Sequence, residues 1–366
     1  MPAVTIKKAS TFEALNGLRG VAAIAVVNRH MAWYFGWLHT DDIGLAVDFF
    51  FLLSGFVLAH AYEKRLRGEL SWPRFMAARL IRLYPLYFAG LMLGAISIWF
   101  WQRPDSSTRF LATLGLNLFM LPPPPAISAI PDQLFPLDFP AWSLFFEFIA
   151  NFAFALLAPR LGNRLLGVLI FAGFLGLLAT GIAMGSLDQG VKPLQFFGGL
   201  ARVDFSFFLG IGIHRAWALR PSKLSLHPSI LFLLLILPLL LPSEGIGHWL
   251  PELAVIAVYY PLLLWLGAGA QPKGRWLAFC VALGALSYPL YVLHAPVWTI
   301  VRALHGWEGN TILHRTEPWS GLLLVTGLAA LSWWIDKAID YPLRRWLSRR
   351  FLGRATHAGE PQANRP

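Results

Sequence analysis

The sequence has little charge and almost no cysteine. Only 13% of its 366 residues are Asp, Glu, Lys or Arg, against roughly 25% in ordinary soluble domains. This shortage, together with 57% hydrophobic residues, excludes a typical soluble enzyme and predicts a polytopic membrane protein. The single cysteine, Cys280, excludes a disulfide framework and a cysteine-based zinc cluster. We expect it to be a core residue.

Acidic residues are scarcer than basic ones. The chain holds 19 Asp and Glu against 30 Lys and Arg, a formal net charge of +11. Such an excess is compatible with nucleic-acid binding, but basic residues gathered on the cytoplasmic side of a membrane protein explain it more simply. We therefore expect membrane lipids around the protein and no nucleic-acid partner.

Apolar runs of roughly 17–25 residues, long enough to cross a bilayer, recur along the chain. Ten spans are predicted, at 16–37, 44–63, 80–101, 141–159, 163–184, 197–214, 228–243, 251–269, 276–300 and 318–338. We expect an all-α membrane protein with one bundle over residues 1–350 and a disordered cytoplasmic tail over 351–366. The apolar piece 110–121 is too short to span the bilayer, which predicts a re-entrant or surface helix.

The distribution of Lys and Arg gives the orientation. When the N-terminus is placed in the cytoplasm, the ten predicted spans put most Lys and Arg residues on the inner side. Basic residues flank membrane spans preferentially on the cytoplasmic side. Both termini are therefore predicted to be cytoplasmic.

The first predicted span carries polar groups at helical spacing. Arg19 and His30 are eleven residues apart, which places them on one helical face, about 16 Å apart along the axis. Ionisable groups inside a span are costly and usually mark functional sites. The alternative is that His30 makes a structural contact with a neighbouring helix.

Further ionisable residues are predicted at the depth of His30, in the outer half of the bilayer. They are Asp48, Glu147, Arg202, Asp204 and His294. Lone charges in lipid are costly, so these residues predict a shared polar cavity. The alternative is a set of separate interhelical pairs, such as Arg202 with Asp204 or Glu147.

Arg79 and Arg82 lie three residues apart near the inner end of the third predicted span. This spacing places them on one helical face. Arginines at this position either satisfy the positive-inside rule or hold phosphate groups through bidentate contacts. The residues themselves leave both interpretations open.

Five segments follow one another along the predicted spans: LNGLRGVAAIAVVNRH, GLAVDFFFLLSGF, ARLIR, AWSLFFE and LSYPLYVLHAPV. Each is weak alone, but in this order they resemble the bacterial acyltransferase-3 family of integral membrane proteins over nearly the whole chain. Two positions depart from the family. Asn16 stands where members usually carry Asp, and Asp340-Tyr341-Pro342 stands where they usually carry Glu-x-Pro.

The resemblance implies an enzyme of the bacterial cytoplasmic membrane that moves an acyl group, expected to be acetyl, from acyl-CoA to a hydroxyl. The expected acceptor is a sugar or exported glycan, or a small molecule. Acyl-CoA is then a co-substrate, with no permanently bound cofactor and no metal. With such a donor, the topology leads us to expect the CoA phosphates on Arg79 and Arg82 at the inner face, helped by Arg19.

Catalytic roles follow from the chemistry of a hydroxyl acceptor, which is a poor nucleophile until its proton is taken. His30 is expected to be the general base that takes the proton of the acceptor hydroxyl. Glu147 is the expected partner that orients the imidazole. His294, Ser287 or Tyr288 is expected to donate to the oxyanion of the tetrahedral intermediate.

A further set of residues in these motifs and spans is predicted to contact substrate: Asp48, Ser54, Trp142, Ser143, Arg202, Ser287 and Tyr288. For Ser54, a covalent nucleophile is the weaker interpretation, because LLSGF lacks the strand-elbow context of hydrolases. Two other functions stay open. A transporter or flippase also needs polar residues at mid-depth, and in a structural or sensory protein the charges would merely pair.

Overall fold

The computed structural model describes residues 12–242, 247–304 and 315–353, and this part of the chain is helical and contains no strand. We label its main helices in chain order. They are α1 (Glu13–His30), α2 (Gly44–Leu66), α3 (Trp72–Trp101), α4 (Ser107–Leu118), α5 (Ala141–Leu157), α6 (Asn163–Met184), α7 (Pro193–Leu219), α8 (Pro228–Leu240), α9 (Trp249–Gly269), α10 (Gly274–Leu304) and α11 (Trp319–Phe351).

Seven helices of the described part are long and apolar enough to cross a membrane: α2, α3, α6, α7, α9, α10 and α11. They confirm a multi-pass membrane protein. The other three predicted spans overlap α1, which carries Glu13, Arg19 and Arg29, and the shorter apolar helices α5 and α8. The total of ten spans and the cytoplasmic termini stay predictions, and residues 354–366 of the predicted tail lie outside the described residues.

The first helix is shorter than the predicted span 16–37, because α1 ends at His30. The chain then folds back over the helix end through the side chain of Asn28. Its Nδ2 donates to the carbonyl of Leu38 at 2.9 Å, and its Oδ1 accepts from the backbone N–H of Thr40 at 2.8 Å. The imidazole of His30 therefore stands in the last turn of a helix, beside a short folded connection.

α1 packs most extensively against α10, and small residues allow the close approach. A Cβ on Gly20 would lie 2.5 Å from the carbonyl oxygen of Leu283, and a Cβ on Gly284 would lie 2.7 Å from the Cβ of Asn16. At such distances a larger side chain would push the helices apart. The face of α1 that carries Arg19 and His30 is consequently held directly against α10.

α2 and α7 form a second close pair. A Cβ on Gly55 of α2 would overlap the carbonyl oxygen of Phe207, and a Cβ on Gly210 of α7 would overlap the carbonyl oxygen of Leu52. This close contact also brings Asp48 of α2 and Arg202 of α7 together. Cys280, on α10, is fully buried, which confirms it as a core residue.

The apolar piece predicted as a re-entrant or surface helix is the short helix α4, which packs against α3. It buries Phe110, Thr113 and Asn117 on one face. The hydroxyl of Tyr84 donates to the carbonyl of Leu118 at 2.8 Å. The segment that follows leads over the bundle to the start of α5, where the candidate site lies.

Candidate active site

A pair of histidines joins the end of α1 to α10. The Nδ1 atom of His30 lies 2.8 Å from the Nε2 atom of His294. The two rings are parallel to within 5°, with their centroids 5.0 Å apart. His294 is fully buried, whereas His30 is partly exposed. Both were predicted as site residues, and the structure brings them into direct contact.

The hydrogen bonds of this pair assign its protons. The Nδ1 atom of His294 lies 2.6 Å from the carbonyl oxygen of Tyr291, and a carbonyl only accepts, so this Nδ1 carries the proton. When both rings are neutral, Nε2 of His294 accepts from the Nδ1–H of His30. The Nε2 atom of His30 is then left with a free lone pair, which is the form a general base requires.

The segment that leads into α5 lies against the histidines. The Phe139 ring meets His30 edge-on, at 4.8 Å and 83°, and its centroid lies 6.2 Å from that of His294. The Ser143 hydroxyl lies 2.6 Å from the Tyr291 hydroxyl. α5 is thereby tied to the same turn of α10 that orients His294.

Tyr291 and Phe139 were missed by sequence reasoning. Tyr291 has a signal in the sequence, because it precedes His294 by three residues and so shares its helical face. Phe139 has none, since its contact depends on the path of the connection before α5.

Glu147 lies with Arg79 and not with His30. Arg79, which is 8% exposed, donates to Oε1 of Glu147 at 2.8 Å, and the hydroxyl of Ser54 donates to the same oxygen at 2.7 Å. The expectation that Glu147 orients His30 therefore differs from the structure. The carboxylate lies one turn of α5 further from the histidines than Ser143, and its charge is compensated there by a cation.

Two further arginines lie within electrostatic range of Arg19. The Nε atom of Arg19 donates to the Ser287 hydroxyl and its Nη2 donates to the carbonyl of Gly284, both at 2.8 Å. Arg82 and Arg79 are the cations that act on Arg19 electrostatically, and Glu147 is among the anions. We call Arg19, Arg79 and Arg82 the arginine cluster. These are the three residues that were predicted to bind phosphate, and that role stays a prediction.

The hydroxyls of Ser287 and Tyr288 are used away from the histidine pair. Ser287 donates to the carbonyl of Gly284 at 2.8 Å and accepts from Arg19. Tyr288 donates to the carbonyl of Leu83 at 2.5 Å. Both lie about 9–11 Å along α10 from His294. In this structure neither is placed to donate to an oxyanion beside His30.

Arg202, which is fully buried, is the centre of a separate ion network. Its Nε and Nη2 atoms donate to the two carboxylate oxygens of Asp48 at 3.1 and 3.0 Å. The remaining donors go to Asp188, to the carbonyl of Gln189 and to the carbonyl of Gly44, at 3.0, 2.7 and 2.7 Å. All five N–H groups of a guanidinium are thus used, which leaves Arg202 no donor for a substrate.

Trp142 and Asp204 each contact a different part of the bundle. The Trp142 ring lies 5.3 Å from the guanidinium carbon of Arg202, so Trp142 belongs to the same network. The Oδ2 atom of Asp204 lies 2.9 Å from where a Cβ on Gly173 would be, which places it against α6. The predicted outer cluster is therefore divided into separate interhelical groups, the alternative considered above.

Two buried carboxyl groups, in the segments before α2 and before α5, have raised pKa values. Burial, together with Glu252 and Asp188, raises the pKa of Asp42 to about 7. Burial alone raises the pKa of Asp138, one residue before Phe139, well above its usual range. A desolvated carboxyl without a nearby cation favours its neutral form.

Known proteins match the chain in sequence. The family profile described as an acyltransferase domain matches residues 12–337. Over 157 residues the chain is 41% identical to "Protein 2 in picA locus" of Rhizobium radiobacter, covering 39% of this chain and 81% of the relative. Over 157 residues it is 31% identical to "Acyltransferase MdmB" of Streptomyces mycarofaciens, covering 39% of this chain and 38% of the relative.

No solved structure matches the chain. The family match extends from the start of α1 into α11, so it includes the histidine pair, the arginine cluster and the Arg202 network. The chain therefore belongs to the acyltransferase-3 family and is a membrane acyltransferase.

Proposed function

We propose that the protein moves an acyl group, expected to be acetyl, from acyl-CoA to a hydroxyl of a sugar or exported glycan. The observation that carries the proposal is the histidine pair, in which the hydrogen bonds of His294 leave Nε2 of His30 with a free lone pair. A positioned base of this kind is what a hydroxyl acceptor needs before it can attack an acyl carbon.

The arginine cluster supports an acyl-CoA donor. Guanidinium groups bind phosphate through charge-assisted, often bidentate hydrogen bonds. Arg19 lies about 16 Å along α1 from His30, so phosphates held there leave a pantetheine arm to extend along α1 and α10. The thioester would then reach the histidine pair.

In the proposed reaction His30 serves first as base and then as acid. Its Nε2 takes the proton of the acceptor hydroxyl while the oxygen attacks the thioester carbonyl carbon. The new C–O bond forms, the tetrahedral intermediate loses its C–S bond, and the departing thiolate of CoA takes the proton back from the imidazolium. The products are the ester and free CoA, so protons and bonds balance.

His294 would orient and support this base. Its Nε2 accepts the Nδ1–H of His30 in the neutral form and keeps that bond when His30 becomes an imidazolium. The carbonyl of Tyr291 holds His294 in the required tautomer. A neutral imidazole and a carbonyl thereby take the place that a carboxylate occupies in a Ser-His-Asp triad.

The same arrangement supports the predicted orientation in the bacterial cytoplasmic membrane. CoA is a cytosolic metabolite, so a donor site on the arginine cluster requires that end of the bundle to face the cytoplasm. The histidine pair then lies toward the outer surface, which favours an exported acceptor. This orientation also places the basic residues on the inner side.

The test uses purified protein in nanodiscs with radiolabelled acetyl-CoA. We expect wild type to hydrolyse acetyl-CoA or transfer its acetyl group to added glycan, and His30→Ala to lose this activity. The matched control is His227→Ala, at an exposed histidine at the start of α8. We expect this variant to keep the wild-type activity. Equal turnover by wild type and His30→Ala would overturn the proposed base.

The donor site is tested separately by the arginines of α3. We expect Arg79→Ala and Arg82→Ala to raise the KM for acetyl-CoA at least about tenfold, the equivalent of about 1.4 kcal/mol each. Arg74, which is exposed on the same helix, is the control. Unchanged KM values would remove the donor-site assignment, and the absence of both turnover and CoA binding would favour a transporter.

A further inference from the structure

The connection between α4 and α5 carries a buried carboxyl group without a hydrogen-bond partner. Asp138 is 2% exposed, and neither of its carboxylate oxygens has a partner among the described residues. Buried side-chain polar atoms are nearly always hydrogen-bonded, so such an exception needs an explanation. None of the interactions described above uses this side chain.

The side chains around Asp138 do not form hydrogen bonds with its carboxyl group. Three tyrosines lie within its electrostatic range: Tyr87, Tyr288 and Tyr291. Their hydroxyls bond to other oxygens, those of Asn117, Leu83 and Ser143. Burial raises the pKa of the Asp138 carboxyl, and no cation among the described residues lowers it. The group therefore stays an uncharged acid inside an aromatic and aliphatic shell.

The position of Asp138 is fixed by glycines on α3. The carbonyl oxygen of Leu137 occupies the place where a Cβ on Gly94 would stand. One turn earlier, the Oδ2 atom of Asp138 lies 3.1 Å from where a Cβ on Gly90 would stand, and Val292 of α10 borders the same space. The carboxyl is thus inserted between α3 and α10.

This position lies at the height of the histidine pair. Val292 precedes His294 by two residues, which is about 3 Å along α10. The next residue after Asp138 is Phe139, whose ring contacts the rings of both histidines. The carboxyl is therefore a neighbour of the place where, under the proposed function, the acceptor hydroxyl loses its proton.

The hydrogen-bonding groups of an uncharged carboxyl determine which ligand it can bind. It presents one O–H donor and one carbonyl acceptor side by side. Two adjacent hydroxyl groups present the complementary pair, because one accepts and the other donates. Vicinal hydroxyls are the characteristic groups of a sugar ring. A cationic acceptor would instead require an ionised carboxylate, which this shell disfavours.

We propose that Asp138 binds the acceptor beside His30, through two adjacent hydroxyl groups. The inference rests on the proposed function and names its acceptor as a polyhydroxylated ring. Because the carboxyl oxygens are covered in this structure, acceptor binding requires the segment 137–140 to move away from α3 or α10. The unmet hydrogen bonds of Asp138 favour that movement when a diol is offered.

The first test observes the carboxyl itself by infrared difference spectroscopy of the full-length protein in nanodiscs. We expect a carboxylic C=O band that is absent in Asp138→Asn and present in Asp132→Asn, a matched change at an exposed aspartate of the same connection. The band should shift on addition of trans-1,2-cyclohexanediol and not of cyclohexanol. A missing band, or a band that neither alcohol moves, would overturn the proposal.

The second test is the preference between the same two alcohols as acyl acceptors. We expect Asp138→Leu to lower the ratio of kcat/KM for the diol to kcat/KM for cyclohexanol at least about tenfold, and Asp138→Asn to lower it less. An unchanged ratio would mean a structural acid only. Failure of the proposed function is recognised separately, since wild type would then show no His30-dependent turnover of acetyl-CoA.

Discussion

His30 and His294 meet edge to edge in nearly parallel planes, with Nδ1 of the first 2.8 Å from Nε2 of the second. An imidazole oriented by a second imidazole needs no additional charge in the bilayer. A carboxylate in the same place would carry a large desolvation cost unless a cation accompanied it. The described part of the protein keeps its arginine and carboxylate pairs elsewhere, as with Arg79 and Glu147.

The first prediction concerns the partner of the base. Replacing His294 with alanine removes the acceptor for the Nδ1–H of His30, so the free lone pair is no longer held in one place. We expect kcat for acetyl transfer to fall about 100-fold, with little change in the KM for acetyl-CoA. Steady-state kinetics of the purified variant measure both. A kcat equal to that of wild type would show that His294 does not orient His30.

The second prediction concerns the Arg202 network. Asp48→Ala leaves a fully buried guanidinium without its bidentate partner, and breaking a buried pair on one side costs roughly 3–5 kcal/mol. We expect a marked loss of thermal stability in detergent. The double variant Asp48→Leu with Arg202→Met, which removes both charges, should be more stable than Asp48→Ala. A wild-type melting temperature for Asp48→Ala would contradict the structural role.

The third prediction concerns the glycine that admits the connection before α5. A Cβ at Gly94 would overlap the carbonyl oxygen of Leu137, so Gly94→Ala must displace this segment and with it Phe139. We expect a stability loss of roughly 1–3 kcal/mol and reduced turnover. Gly115 on α4 is the control, because a Cβ there meets open space. Equal activity of Gly94→Ala and Gly115→Ala would contradict the contact.

The fourth prediction concerns pH and Asp42. Its pKa in the folded protein is about 7, raised from 3.8, chiefly by burial. Because the folded state holds the proton more tightly, this group's contribution to stability is present below about pH 4 and is lost as pH rises to about pH 7. A shift of this size corresponds to at most about 4 kcal/mol.

Thermal unfolding measured across this pH range checks the assignment. We expect Asp42→Asn to weaken the decline of the melting temperature with rising pH and to be more stable than wild type at pH 8. Asp105→Asn, at an exposed position between α3 and α4, should follow wild type. A wild-type pH profile for Asp42→Asn would refute the role of this carboxyl.

Much of the fold can be predicted from the sequence because its cause is local. A run of apolar residues must form a helix in lipid, since no water satisfies its backbone groups. Seven long apolar helices therefore appear where spans were predicted. The first span was predicted to reach residue 37, but α1 ends at His30. The chain folds back there through the hydrogen bonds of Asn28, which its local sequence does not reveal.

The pairing of the polar residues was beyond sequence reasoning. Spacing alone put His30 and Glu147 at one depth, but Glu147 lies with Arg79, since α5 meets α3 there and a carboxylate in lipid is stable only beside a cation. Arg202 was likewise predicted to contact substrate, but all five of its N–H donors bond within the protein. Asp138 went unnoticed because nothing in its local sequence distinguishes it from other aspartates.

By itself, the sequence determined that this is a helical membrane protein with basic and imidazole groups on one face of its first helix, and its motifs identified the family. Apolar periodicity and motif spacing are properties of single helices, so they can be read one segment at a time. Only the tertiary structure decided that His294 is the partner of His30 and that Asp138 stands beside them. Such contacts join helices distant in the chain, and side-chain packing and the cost of unpaired charge select among the possible partners.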